Sequence, residues 1–223
     1  VVLIAGKPLA MPWVKENADA VLVQWYAGEQ QGCTLADILL GKVNPSGKLN
    51  VSFPRSTGNT PCFYNHFVTD REEPFDQPGT PEEPKGHYIF DKPEPLWNFG
   101  HGKSYTTFDY VDCALSDTLL AASDTLKVSV MIKNTGRCDG KEVVQLYVRD
   151  KVSTVATPIQ QLKAFQKVLI KPGESQCVEL SLPIAELALY NAKMEEVVEP
   201  GDFEIQIGAA SDDIRFKKTI TIN

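Results

Sequence analysis

The feature that most constrains this 223-residue chain is a regular alternation of apolar residues through its second half. Every second position is apolar in five segments, which are residues 126–132, 144–148, 178–182, 203–207 and 214–222, with Lys218 as an interruption in the last of them. A period of two places these side chains on one face of a strand. Turn signals separate the segments at residues 134–136, 139–140, 171–173 and 199–201. The pattern predicts an antiparallel β-sandwich of immunoglobulin or fibronectin type III kind over residues 104–223.

The first 65 residues show a different pattern, with continuous apolar runs and helical spacing. Residues 1–5 and 20–26 are apolar runs, and the segment between them starts a helix at Pro12 that continues to Asn17. Two buried strands joined by a helix predict a βαβ unit in a parallel sheet. A second helix is predicted over residues 29–40, and a short strand over residues 49–53. Residues 1–65 are therefore predicted to be α/β.

An acidic, proline-rich segment, residues 66–103, lies between these two regions. Residues 66–95 hold six prolines, eight acidic and three basic residues, and so carry −5 of the chain's net charge of −7. No sustained periodicity is present, which predicts an extended linker or long loop. Its apolar cluster Tyr88-Ile89-Phe90 is expected to tether it to a neighbouring domain.

Composition excludes several functional classes. The acidic balance, with a pI near 5.0 and no cluster of basic residues, argues against nucleic acid or an anionic membrane as partner. No apolar run approaches the roughly 18 residues that span a bilayer. The five cysteines form no C-x-x-C pair and are expected to be unpaired thiols. His66, His87 and His101 are too widely spaced for a metal-binding motif, so no metal site is expected.

The candidate motifs for chemistry have simpler explanations. Gly102-Lys103-Ser104 lacks the upstream glycine of a phosphate-binding loop, since Trp97 stands there, and is interpreted as a turn. The sequon Asn50-Val51-Ser52 falls in a predicted strand, which argues against glycosylation. Paired carboxylates suit glycoside hydrolysis, but those of this chain lie in the acidic linker or on a predicted hairpin, at residues 72–73, 82–83 and 195–196. The residues alone therefore define no catalytic constellation.

Aromatic side chains offer a further type of candidate site, because such rings stack on sugars. The candidates are Trp25, Tyr26, Tyr88 and Trp97. Trp25 and Tyr26 are the last residues of a predicted parallel strand, at the carboxyl end where such sheets form their ligand crevices. Core packing is the simpler interpretation of these rings.

A series of short strings resembles the C-terminal part of glycoside hydrolase family 3, the family of β-glucosidases and β-xylosidases. In chain order the principal strings are Gly6-Lys7-Pro8-Leu9-Ala10, Trp25-Tyr26-Ala27-Gly28-Glu29-Gln30, Ala36-Asp37-Ile38-Leu39-Leu40-Gly41, Val43-Asn44-Pro45-Ser46-Gly47-Lys48-Leu49, Phe53-Pro54-Arg55-Ser56, Tyr64-Asn65-His66, Phe99-Gly100-His101-Gly102-Lys103-Ser104-Tyr105, Asn134-Thr135-Gly136, residues 142–150, Gln161-Leu162-Lys163-Ala164-Phe165 and Glu199-Pro200-Gly201. They run across nearly the whole chain in collinear order.

The resemblance implies a three-part parent enzyme with a barrel, an α/β sandwich and a fibronectin type III-like domain. It implies retaining hydrolysis of terminal β-linked glucosides or xylosides. Both catalytic carboxylates are expected upstream of this chain, so no residue here is assigned a catalytic, cofactor-binding or metal-binding role, and no cofactor is expected. The oligosaccharide or β-glycoside substrate would be bound through the barrel.

The opening strand, residues 1–5, has no upstream neighbour, which suggests a truncated or processed chain. We therefore expect self-association, or pairing with an upstream fragment through the cut α/β sheet. The expected location is periplasmic or secreted. Two alternatives remain open: a carbohydrate-binding or adhesion sandwich without catalysis, and a purely structural role for the sandwich.

Overall fold

The computed structural model describes residues 1–67, 80–82, 92 and 94–223. These residues divide into two compact units that are interleaved along the chain. The first unit contains residues 1–44, 49–64, 80–82, 92 and 94–101, and the second contains residues 45–48, 65–67 and 102–223. The predicted tether Tyr88-Ile89-Phe90 and much of the predicted linker lie outside the described residues.

The first unit contains the predicted parallel βαβ arrangement. Its elements are β1 (Val2–Leu3), α1 (Pro12–Asn17), β2 (Leu22–Val23), α2 (Gln31–Leu39) and a 3₁₀ turn at Thr57–Asn59. Strands β1 and β2 pair in parallel, which confirms the prediction for this segment. The second helix begins two residues later than predicted, because Gly28 adopts a left-handed φ of 77° and a turn precedes the helix.

The strand predicted at residues 49–53 is wrong. The backbone of Leu49 exchanges hydrogen bonds with the 100–101 segment, and the backbone of Phe53 exchanges them with residues 96–97. A bend at Asn50 and Val51 separates these two contacts, so no continuous ladder forms. The alternating apolar pattern therefore marks two anchoring points and not a strand.

The second unit is an antiparallel β-sandwich, as predicted. Its long strands are β3 (Phe108–Leu115), β5 (Thr125–Asn134), β6 (Gly140–Asp150), β7 (Gln161–Ile170), β8 (Ser175–Pro183), β11 (Gly201–Ala210) and β12 (Asp213–Ile222), and its short elements are β4 (Leu119–Leu120), a 3₁₀ turn (Ile184–Leu187), β9 (Leu189–Tyr190) and β10 (Glu196–Val197). One sheet has the order β4-β12-β11-β6-β7 and the other has the order β3-β5-β8. Their neighbouring strands are antiparallel except for β12 and β4.

The core of the sandwich consists of the alternating apolar residues that face inward. On β5 these are Leu126, Val128, Val130 and Ile132, all of them fully buried. The four predicted turn signals lie between strands or at their terminal residues, and Gly173 takes the left-handed conformation with φ 77°. Each buried Val, Leu or Ile side chain contributes about 1.5–3 kcal/mol, so this core is the main source of the unit's stability.

The buried Asn134 closes the turn after β5. Its side-chain amide donates to the carbonyl oxygens of Cys138 (2.9 Å) and Ile170 (2.8 Å). Its side-chain oxygen accepts from the hydroxyl of Thr106 (2.6 Å) and the backbone of Gly136 (3.0 Å). All four hydrogen-bonding positions of this amide are thus used inside the fold.

No helix among the described residues has the length and apolar character needed to cross a membrane. The five cysteines form no disulfide in this structure.

Candidate functional site

The carboxyl edge of the β1–β2 pair is the first candidate site. Hydrogen bonds from Leu22 to Val1 and from Gln24 to Leu3 align the two strands, so the segments that follow them emerge at one edge. Here Tyr26 lies directly over Gly6, because a Cβ on Gly6 would stand only 2.7 Å from the ring. The Tyr26 side chain is 74% exposed. At this edge the Tyr26 ring therefore packs on the backbone of Gly6 and exposes its other side to solvent.

Trp25 has a different environment, although it precedes Tyr26 in sequence. Its φ of 50° is in the left-handed region, which is uncommon for a residue with a bulky side chain. Its ring packs against Phe53 at a centroid distance of 5.8 Å, and Phe53 meets Trp97 edge-on at 5.8 Å. Phe53 is completely buried. Trp25 and Trp97 are thus packing residues, whereas Tyr88 lies outside the described residues.

Lys15 and Leu96 complete this aromatic cluster. The Lys15 ammonium donates to the carbonyl oxygen of Leu96 and lies 5.8 Å from the centre of the Trp97 ring. A cation at this distance from an indole face is attracted by the ring's quadrupole. The central residue of the cluster, Phe53, is not apparent as such from sequence, because it lies in the segment wrongly predicted as a strand.

A second candidate is the carboxylate of Glu142 inside the sandwich unit. Its two oxygens lie 3.3 and 3.4 Å from the Lys48 ammonium, and the Tyr110 hydroxyl lies 3.1 Å from one of them. The exposed fractions of the Lys48 and Glu142 side chains are 13% and 6%. Sequence reasoning did not identify this group, although Lys48 and Glu142 both fall within the strings that resemble family 3.

Burial controls the electrostatics of this group. Desolvation raises the pKa of Glu142, and the positive charge of Lys48 opposes that change without overcoming it. Burial, followed by the charge of Glu142, raises the pKa of Tyr110 far above its ordinary value. The Glu142 carboxylate is therefore already engaged in an ion pair with Lys48 and a hydrogen bond from Tyr110. This is the chemistry of a structural ion pair.

The remaining sequence candidates do not converge on a site. The carboxylates at 72–73 and at 83 lie outside the described residues, as does His87. Among the described residues, no group of three or more His, Cys, Asp or Glu side chains could hold a metal ion. Glu195 and Glu196 lie on the β9–β10 hairpin, as predicted. Gly102 begins the sandwich unit and packs against the carbonyl of Gly47. The turn predicted at residues 102–104 is wrong, because these residues form no turn and the nearest bend lies at Tyr105 and Thr106.

The sequon differs from its prediction in one respect. Asn50 lies in an exposed bend and not in a strand. The hydroxyl of Ser52 is buried and accepts a hydrogen bond from the Phe99 backbone at 3.2 Å. Ser52 therefore has a structural role in the folded unit.

Comparison with known proteins agrees with both units. Residues 1–105 match the glycosyl hydrolase family 3 C-terminal domain, and residues 142–211 match the fibronectin type III-like domain. A β-xylosidase of Formosa agariphila is 42% identical, over 96% of this chain and 29% of the relative. A periplasmic β-glucosidase of Salmonella typhimurium is 40% identical, over 94% of this chain and 27% of the relative. The chain thus spans less than a third of the length of these curated relatives.

Solved structures show the same relationship. The β-glucosidase from Listeria innocua, in complex with glucose, superposes with a TM-score of 0.89 at 36% identity, covering 100% of this chain and 30% of that one. A β-glucosidase from Erythrobacter marinus gives a TM-score of 0.88 at 39% identity, covering 100% and 28%. These matches extend through both units, and together with the two domain matches they show that the chain belongs to glycoside hydrolase family 3, whose C-terminal and fibronectin type III-like domains it carries.

Proposed function

We propose that this chain is the C-terminal region of a retaining β-glycosidase that hydrolyses terminal β-linked glucosides or xylosides. The observation that carries the proposal is the collinear similarity of both units to proteins named as β-glucosidases and β-xylosidases. The reaction would take place in the part of the enzyme that lies beyond these residues. The role of this chain is then structural support for the catalytic domain.

The chemistry of retaining hydrolysis supports an inactive chain. Such enzymes need two carboxyl groups about 5–5.5 Å apart, one as nucleophile and one as acid/base. In the described residues, the buried carboxylate Glu142 is held by Lys48 and Tyr110 and is not free for either role.

An activity assay tests this part of the proposal. The chain is incubated with aryl β-glucosides and aryl β-xylosides, alone and after addition of the upstream barrel segment of the same protein. We expect no turnover by the chain alone and turnover in the mixture. Turnover by the chain alone that is abolished when one of its carboxylates is replaced would contradict the proposal.

We also propose that the β1–β2 pair associates with another strand, from a second copy or from an upstream segment. The side chains of Val1, Val2 and Ile4 are exposed, and within the described residues β1 pairs with β2 only. Exposed apolar strand edges favour pairing with other chains. Light scattering should show self-association that disappears when the upstream segment is added. A monomer at high protein concentration would count against it.

A carbohydrate-binding role is the second candidate, and the exposed Tyr26 ring favours it. On the sandwich, Tyr147 is completely buried and Phe216 packs against the core, whereas Phe165 and Tyr190 are exposed. Affinity electrophoresis in gels containing β-glucan or xylan separates the two candidates. Retardation that Tyr26→Ala removes and Tyr190→Ala leaves unchanged would favour binding, since both tyrosines are exposed.

For location, we propose the periplasm or the exterior of the cell, in line with the similarity to the periplasmic β-glucosidase of Salmonella typhimurium. Fractionation of the source cells with a specific antibody would test this. Recovery with cytoplasmic markers would overturn it.

A further inference from the structure

A short segment of the chain, Pro45–Lys48, belongs to the second unit although the residues on both sides of it belong to the first. We call this segment the strap. It lies far upstream of residue 104, where sequence reasoning placed the start of the sandwich. The contacts of the strap explain its assignment.

The backbone of the strap packs against the start of the sandwich without room for a side chain. A Cβ on Gly102 would lie 2.4 Å from the carbonyl oxygen of Gly47 and 2.9 Å from Cδ of Lys48. The Lys48 ammonium donates to the carbonyl oxygen of Gly102 at 3.0 Å. Lys167 of β7 reaches the hydroxyl of Ser46 at 3.4 Å. The strings that contain Gly47 and Gly102, both of which resemble family 3, thus contact each other directly.

The side chain of Lys48 extends from this contact to Glu142 on β6, with 3.3 and 3.4 Å to its two oxygens. Both side chains are largely buried. The other groups that face Glu142 are the Tyr110 hydroxyl and the more distant charge of Asp213, with Arg215 acting on Tyr110. Without Lys48, the carboxylate would keep the Tyr110 hydroxyl as a hydrogen-bond donor and would lose the ammonium that forms its ion pair.

We propose that the strap is a structural part of the fibronectin type III-like unit, held by the Lys48–Glu142 pair, so that this unit is not an independent module that starts at residue 104. Breaking a buried ion pair from one side is strongly destabilising, because the remaining charge stays desolvated. Replacing both partners with apolar residues of similar volume is often neutral or stabilising. A stable sandwich therefore requires Lys48, which lies far from Glu142 in the sequence.

The experiment uses the full 223-residue chain and amide hydrogen exchange in peptides that cover residues 140–150. Lys48→Met should raise the opening equilibrium of this strand on the order of 100-fold or more, which is equivalent to about 3 kcal/mol at 1.36 kcal/mol per tenfold. The matched control is Lys217→Met, which removes a more exposed ammonium that lies 3.5 Å from Glu204. The control should change exchange less than about threefold.

A second variant separates the ion pair from simple loss of packing. The double variant Lys48→Met/Glu142→Met should regain most of the protection that Lys48→Met loses. The deficit of the single variant should also shrink as the pH falls and Glu142 becomes neutral. The proposal is overturned if Lys48→Met behaves like the Lys217→Met control. It is equally overturned if the double variant stays as unprotected as the single variant, because Lys48 would then act independently of Glu142.

Discussion

The sandwich and the α/β unit differ in where their apolar side chains are buried. In the sandwich, inward-facing residues of both sheets form one continuous core, with β5, β6 and β11 contributing fully buried side chains. In the described part of the first unit, neither α1 nor α2 has a buried residue, and Phe53 and Leu96 are the buried large apolar side chains. The sandwich thus closes its own core, whereas the α/β unit presents half-exposed apolar faces. This difference supports the proposal that the α/β unit is completed by further chain.

The largest expected loss of stability comes from the buried centre of the first unit. Phe53→Ala removes a completely buried ring and should lower the free energy of unfolding of the first unit by about 3–5 kcal/mol. Because Phe53 contacts both Trp25 and Trp97, tryptophan emission should shift to the red, with the exposed Trp13 as a constant background. The exposed Phe63→Ala is the control. A small effect of Phe53→Ala would show that this unit has its main core elsewhere.

Replacing one leucine in each unit tests the difference in burial between the two units. Leu146→Ala, in the sandwich core, should cost about 2–5 kcal/mol, whereas Leu39→Ala, at a position 60% exposed on α2, should cost less than about 0.5 kcal/mol. Hydrogen exchange resolves the two units separately. Equal losses would break the comparison, because α2 would then be buried against a partner in solution.

Asn134→Ala tests whether the sandwich also depends on a buried polar group. The replacement leaves the carbonyls of Cys138 and Ile170 and two donors without their partner, at a cost of at least about 1–3 kcal/mol. Urea denaturation followed by circular dichroism measures the loss. Asn50→Ala, in an exposed bend, is the control and should be nearly neutral. An equal response would mean that water replaces the lost bonds.

The sequence predicted those parts of the fold in which the alternation of apolar residues matches the burial of their side chains. Strands β5 and β8 alternate cleanly because one face of each lies on the core. Strands β3 and β7 were missed, since a bulge after Tyr110 interrupts the alternation of β3 and the first half of β7 is not buried. The Lys48–Glu142 pair was not predictable because its partners are 94 positions apart and lie in two separate strings. Likewise, the exposure of Tyr26 and the packing of the half-buried Trp25 against Phe53 depend on the left-handed backbone at Trp25.

The pH dependence of the sandwich should carry the signature of Glu142. Its pKa in the folded state is raised by burial above the unfolded value of about 4.3, so the folded state binds the proton more tightly. The resulting stabilisation is complete below the unfolded pKa and is lost as the pH rises through the folded value. Glu142→Gln should remove this part of the pH profile, as measured by urea midpoints between pH 4 and 8. Parallel profiles of the two proteins would contradict the assignment.

The smallest expected effects compare two glycines in the two units. Gly173 has a φ of 77° with open space around it, so Gly173→Ala should cost only the backbone strain, about 1 kcal/mol. Gly32 lies within α2, also with open space, and Gly32→Ala should stabilise the first unit by up to about 1 kcal/mol through helix propensity. Thermal melts would measure the change in overall stability, and hydrogen exchange at each site would assign it to one unit. Opposite signs are expected because the same added methyl group opposes a left-handed turn and favours a helix. A stabilising Gly173→Ala would mean that the turn after β7 can adopt another conformation at no cost.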